Sequence, residues 1–302
     1  VVVGWTVVTL NTAVAGLWAF WGASEAFHEG WYLPTLAGNL WFSLLHLLPA
    51  MIPVALGLFA LRLPRSGALV YIGIGCWLGG WFILSRSPGW DLGQIILMLM
   101  MGGFGGVIGI LWWLGRPRPK GWAYHVTWGV PLLVAIMSSA EPAFRVARRH
   151  DDGVLRARIV EGNGVTLLWA PQGPGWPRAG MTWDKAVGHC RYLADDGLSL
   201  ADEPQDIWRL PTVDEIVRSL TRHGENAGGT WDAEHRRASY RIKPDKESPL
   251  WDTRSPIIYW WAADEVDAEH AYRVVYNGRV QLISKDAGMG TQAFRAVRDP
   301  SS

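Results

Sequence analysis

"DIWRLPTVDEI", residues 206–216, decides how the second half of this chain is read. Trp208, Arg209 and Leu210 alternate apolar and charged side chains, so residues 207–210 are expected to form a strand. Pro211 ends that run, because proline has no N–H to donate. Thr212 and Glu215 then stand at the Thr-x-x-Glu spacing of a capping box, in which each side chain satisfies a free backbone N–H of the other. Ile216, Val217 and Leu220 give the following helix, expected to reach Gly224, its buried face. A guanidinium on a core strand needs partners. Arg209 is therefore expected in an internal ion pair or on backbone carbonyls, and Arg209, Thr212 and Glu215 are read as structural.

Working outward, "ARIVEGNGVTLLWA" (157–170) reads as two short strands around a Gly-Asn-Gly turn. "MTWDKAVGHCRYLADDG" (181–197) reads as a helix capped by Thr182, with Ala186, Cys190 and Leu193 on one face. Residues 225–256 are polar, rich in Gly, Asp, Lys and Pro, and show no clear period. A loop of that length is functional, mobile or pinned by its own aromatics. Three strands are expected at the end: "IIYWWA" (257–262), the hairpin "AYRVVYNGRVQLI" (271–283) turning at Asn277 and Gly278, and "AFRAVR" (293–298). This order makes an α+β domain.

Aromatics beside charges are what interfaces use, which nominates Trp231, Asp245, Lys246, Glu247, Trp251, Trp261, Asp264 and Glu265 as a binding surface. The competing reading is that Trp251 and one of Trp260 or Trp261 fill the core, with Trp260 expected inside. A structural calcium on Asp245, Glu247 or Asp252 has no ligand spacing to recommend it, and no metal is expected. His189, His223, His235 and His270 are scattered without metal spacing.

The first half is a different material. Residues 1–150 hold nine Lys/Arg and four Asp/Glu, against nineteen and twenty-three in residues 151–302. Charge in the first half falls in short clusters between apolar runs, as in membrane spans and their loops, so no nucleic-acid partner is implied. Five segments are apolar and about long enough to span: residues 1–23, 38–61, 67–85, 92–114 and 122–140. "MMGGFGGVIG" (100–109) supplies small residues for close helix packing, and Pro49 and Pro53 are expected to kink the second span. Arg62, Arg65, Arg116, Arg118 and Lys120 lie in two alternate connections, which puts the N-terminus in the cytoplasm and the C-terminal half outside. Arg145, Arg148 and Arg149 argue the other way.

Among membrane polar groups, Glu25, His28 and Glu29 could share a helical face, but with Trp31 and Tyr32 adjacent they read as a hydrated interfacial loop. His46 lies within a span, where a hydrogen bond to another helix is expected. No cofactor is expected. Haem or chlorophyll on His46 or His28 belongs only to the alternative that the chain is an accessory or structural subunit of a respiratory or photosynthetic complex.

The blocks "GVTLLWAPQ", "MTWDKAVGHCRYLADDG", "WRLPTVDEI", "IIYWWAADE", "AYRVVYNGRV" and "AFRAVRD" come in the order that resembles the Lcl C-terminal domain family, over about residues 164–299. That domain of unknown function is similar to the formylglycine-generating enzyme, or sulfatase-modifying factor, superfamily, and the resemblance implies its variant of the C-type-lectin-like fold. Those enzymes use two late cysteines on copper; this chain has none after Cys190. The resemblance therefore does not carry the oxidase activity, and a divergent enzyme is only a second alternative. Related domains often end in Arg-Cys-Val-Arg, whose cysteine can pair with one in the first helix. Ala296 stands in that place, which implies a free, buried Cys190.

The expected whole is a membrane all-α bundle of five transmembrane helices (1–141), a linker with the first strand (142–163) and an α+β C-type-lectin-like domain (164–302). The expected role is non-catalytic: display of an extracytoplasmic binding domain for a protein, peptide or glycan, from a bacterial inner membrane. Membrane lipid and a protein partner or membrane complex are the expected contacts.

Overall fold

The computed structural model describes residues 1–84, 92–171, 180–288 and 290–300, and their side chains except those of 82, 83, 92, 94, 95 and 97–101. The Gln94 side chain, the Arg86 connection and part of the 100–109 glycine run lie outside the described residues. Two compact units emerge: Val1–Phe27 with Ala37–Phe144, and His28–Leu36 with Arg145–Ser302. Residues 28–36 therefore group with the second unit and not with the helical one.

Five helices are described in the amino-terminal half: α1 (Val2–Glu29), α2 (Leu36–Arg62), α3 (Pro64–Leu84), α4 (Leu92–Leu114) and α5 (Lys120–Ala147). Three of them, α1, α2 and α5, are long and apolar enough to cross a membrane by length and composition. At 1.5 Å per residue each extends about 40 Å, enough for a hydrocarbon core of about 30 Å. The buried face of α1 is mostly small: Gly4, Asn11, Thr12, Ala15, Gly16, Ala19, Gly22 and Ala23 are buried beside Val7, Val8 and Phe27. Leu17, Trp77, Leu133 and Met137 are exposed, whereas Leu61, Ile108 and Trp112 are buried. Small residues on a helix face let helices approach closely in lipid, where burying Leu gains nothing over leaving it in acyl chains.

Close helix contacts rest on glycine. A Cβ at Gly22 would sit 2.3 Å from the His46 carbonyl oxygen, and one at Gly105 would sit 2.9 Å from the Gly75 Cα, so α3 and α4 meet backbone to backbone. Inside the bundle, Asn11 Nδ2 donates to the Pro53 carbonyl (3.0 Å) and Tyr71 Oη donates to Asn11 Oδ1 (2.6 Å). α2 continues through both Pro49 and Pro53. His46 Nδ1 lies 2.9 Å from the Phe42 carbonyl oxygen of its own helix.

In the second unit, β1 (Arg158–Glu161) and β2 (Thr166–Trp169) form the expected hairpin, and β11 (Val297–Arg298) adds antiparallel to β2. A second sheet has the order β10-β7-β8-β9, from β7 (Tyr259–Glu265), β8 (His270–Val275), β9 (Val280–Ser284) and β10 (Gln292–Ala293). β10 is parallel to β7, and the β8–β9 turn carries Gly278 at φ 85°, which glycine adopts without strain. Helices α6 (Trp183–Tyr192) and α7 (Val213–Ser219) pack on two separate cores. Trp260 on β7 joins Val213, Ile216, Val217 and Leu220 in one; its neighbour Trp261 joins Ala186, Cys190, Leu193 and Leu210 in the other. Alternate strand residues point to opposite faces, and here both faces are covered.

Several expectations are corrected. Residues 207–210 form no strand; Arg209 makes a single antiparallel bridge to Val297. α7 ends at Ser219, not Gly224, and β3 (Thr221–Arg222) follows at once. The supposed loop holds β4 (Glu225–Asn226), β5 (Thr230–Asp232) and β6 (Arg237–Ser239), with β5 and β6 paired as a hairpin. The expected strand at 293–298 is split between β10 and β11, in different sheets. Thr212 and Glu215 do form the capping box, whereas Thr182 stands at the N-cap of α6 without a side-chain capping bond.

Candidate functional site: a tryptophan-lined groove

The nominated loop is largely interior. Asp245, Lys246, Glu247, Trp251 and Trp261 are all buried, which corrects their reading as surface. Asp245 bridges Arg149 (3.0 Å) and Arg222 (2.9 Å), and Glu247 pairs with Arg222 (3.0 Å) and accepts from the His223 N–H. These carboxylates answer to guanidinium groups, which leaves them poor calcium ligands. Burial pushes Asp245 up, but Arg149 and its hydrogen bonds outweigh this and hold it below its usual value. Lys246 Nζ donates to the Ser255 carbonyl, and burial lowers its pKa to about 7, with Arg149 adding to the effect.

Trp251 stacks on Trp260 with centroids 3.6 Å apart and planes 9° from parallel, and Trp169 lies 5.6 Å beyond. Trp261 donates through Nε1 to the Met181 carbonyl (2.8 Å). Trp231 is half-buried, edge-on to Tyr272. Asp264 accepts from the Val213 N–H (2.6 Å), satisfying a donor of the first turn of α7, and the exposed Glu265 pairs with Lys285. All eight nominated residues thus have structural partners or packing.

His28 is not in an interfacial loop. α1 stays helical to Glu29, and both ring nitrogens of His28 lie 3.2 Å from tyrosine hydroxyls, Nδ1 from Tyr276 and Nε2 from Tyr259. Both ring nitrogens are thus within hydrogen-bond reach of a hydroxyl. Glu25 and Glu29 are half-buried on the same helix.

An open concavity among the described residues of this unit lies against the "WRLPT" segment itself. A groove of about 600 Å³ is lined by α6 (Trp183, Val187, Cys190, Arg191), by residues 206–215 (Asp206, Trp208, Arg209, Leu210, Thr212, Glu215) and by Ala263 of β7. Trp183 Nε1 donates to the Ala262 carbonyl (2.8 Å), and Lys285 Nζ sits 4.5 Å from its ring. Trp208 Nε1 donates to the Ala194 carbonyl (2.9 Å), and the Arg298 guanidinium lies 4.6 Å from its ring. Both tryptophans are therefore held at edge and face before any ligand arrives.

The polar rim is equally organised. Arg209 grips Glu215 through two bonds of 2.7 Å, and Glu215 also accepts from the Thr212 N–H (2.8 Å). Hydrogen bonds to Glu215 raise the Arg209 pKa; for Glu215, burial acts upward but Arg209 and Thr212 outweigh it, holding its carboxyl below the usual range. Arg191 and Asp206 form an exposed pair at 3.3 Å. Cys190 reaches the groove as a free thiol whose pKa burial raises, so it is protonated at neutral pH and a poor nucleophile. The signal for one wall was available in sequence: Trp183, Val187, Cys190 and Arg191 stand at i, i+4, i+7 and i+8 and so share one face of α6. No family model matches the chain, and no curated protein or solved structure does either.

Proposed function

We propose that this is a polytopic membrane protein of five spans whose C-terminal unit is a non-catalytic, C-type-lectin-like binding domain held outside the cytoplasm. The carrying observation is the groove: an apolar floor of Trp183, Val187, Trp208 and Leu210, pinned in advance, with charged pairs on its rim. Rigid aromatics bind at low entropic cost, and rim pairs select register. That chemistry suits a peptide segment with apolar side chains flanked by charges, contributed by a partner protein or a membrane complex. A glycan, which would stack on the same rings, is the other class of occupant. The protonated, buried Cys190 supports the non-catalytic reading over superfamily oxidase chemistry.

A photo-reactive amino acid at Val187, an exposed groove position, tests this with the full chain in native membranes. The expected result is one discrete adduct, digestible by protease, that a charge-introducing Leu210→Arg change removes. No adduct at 187, or one insensitive to the groove change, would overturn the reading; a protease-resistant, glycosidase-sensitive adduct would reassign the ligand to glycan.

A further inference from the structure

At one end of the helical unit, the α2–α3 and α4–α5 connections surround a cavity of about 360 Å³ lined by Leu61, Pro64, Arg116, Pro117, Arg118 and Lys120. Apart from Arg86, every Lys and Arg of residues 1–144 lies in or beside these two connections. The acidic residues described in the same unit, Glu25 and Glu141, lie near the C-terminal ends of α1 and α5. Among the described residues, Arg116, Arg118 and Lys120 pair with no carboxylate.

The basic groups are nonetheless positioned. Arg116 Nη1 donates to the Trp112 and Gly115 carbonyls (2.8 and 2.9 Å), which leaves its second terminal nitrogen available. Trp5 Nε1 donates to the Arg118 carbonyl (2.9 Å) and fixes that backbone, and Lys120 Nζ lies 5.8 Å from the Tyr124 ring. A Cβ at Gly4 would sit 2.2 Å from the Arg116 carbonyl carbon, so the start of α1 is wedged against the connection and holds it in place. Basic loops alone are how spans are oriented. A cavity walled by three positioned, uncompensated cations goes further, because gathering like charges without a counter-charge is unfavourable.

We propose that this cavity binds the phosphate of an anionic phospholipid headgroup, with Arg116, Arg118 and Lys120 as its donors. The lipid is favoured over a free phosphate by the apolar part of the wall. Leu61, Pro64 and Pro117 line the cavity, and Leu63, Leu114 and Trp122, each within two residues of a lining residue in sequence, are exposed, which gives a glycerol and its acyl chains an apolar surface that a free anion would leave wet. Basic pockets between spans bind lipid headgroups in this way.

The test uses the delipidated full chain in neutral detergent, titrated with phosphatidylglycerol, phosphatidylcholine or inorganic phosphate, and read by native mass spectrometry and by the thermal midpoint. Phosphatidylglycerol is expected to stay bound and to raise the midpoint, with phosphatidylcholine and inorganic phosphate doing neither. Arg118→Gln with Lys120→Gln should weaken phosphatidylglycerol about fivefold per charge removed, while Arg118→Lys with Lys120→Arg should restore it; elution and helicity of both variants check folding. Equal retention of the two lipids, or a Gln variant that binds like the parent, overturns the site. A midpoint shift from inorganic phosphate equal to that from phosphatidylglycerol overturns the lipid as its occupant.

Discussion

Lys246 makes the stability of the C-terminal unit depend on pH in an unusual direction. Burial lowers its folded-state pKa to about 7, from the ordinary lysine value of 10.5. Between those values the unfolded chain holds a proton that the folded chain has released, so stability rises with pH. Each pH unit in the window contributes about 1.4 kcal/mol. The upper part is complicated by Cys190, whose raised folded pKa makes stability fall with pH once an unfolded thiol ionises, near pH 9. The clean interval is pH 7 to 9, worth on the order of 2 kcal/mol. With a urea dependence of about 2 kcal/mol/M for a unit of this size, the midpoint should rise by roughly 1 M. Pulse proteolysis of the full chain in detergent and urea, scored on peptides from β7 and β8, measures it. Lys246→Met keeps the volume, leaves Asp245 and Glu247 with their arginines, and should abolish the slope. A parent protein whose midpoint is flat or falls between pH 7 and 9, or a Lys246→Met protein that keeps the rise, would refute the assignment of a deprotonating buried lysine.

Trp251→Ala removes the stacked partner of Trp260 from a closed core and should cost about 3–5 kcal/mol; pulse proteolysis at fixed pH would contradict this with a loss below about 1 kcal/mol. Glu215→Gln keeps an amide oxygen for the cap but removes the charge that grips Arg209, for about 1 kcal/mol after allowing for the exposure of Arg209. Because the folded Glu215 carboxyl lies below its usual value, that contribution is present above the unfolded pKa and is lost as pH falls through the folded one. Parent and variant midpoints should therefore converge in acid, and a gap that widens there would count against it. In the helical unit, Gly105→Leu drives a side chain into the Gly75 backbone, which cannot yield. Aggregation or a lowered thermal midpoint in detergent is expected, and an unchanged midpoint would show that α3 and α4 do not meet there.

What was legible in the sequence is what is local. The Thr212–Glu215 box, the β8–β9 turn at Asn277 and Gly278, and the β1–β2 hairpin each need only a few neighbouring residues, so pattern and outcome agree. "AFRAVR" failed because its middle arginine goes inside. Arg295 donates to the Ala170 carbonyl, 125 residues away, and to the Leu250 carbonyl, 45 away, and the chain divides around it into β10 and β11. No alternation within six residues can announce those acceptors.

The same cause displaced the candidate site. Charged residues are seldom buried unless paired, so from sequence Asp245, Lys246 and Glu247 read as surface. Their partners sit elsewhere: Arg149 far upstream, Arg222 on β3 and the Ser255 carbonyl. A balanced cluster of this kind can be interior at tolerable cost, and it clamps the 245–251 segment against the Trp260 core. The segment that looked like scaffold, 206–215, then supplies one wall of the groove, because its capping box and Arg209 clamp hold Trp208 and Leu210 opposite Trp183 and Val187. Rigidity and recognition here have one origin: the bonds that end a strand-like segment and start α7 also set the floor and rim on which a ligand would rest.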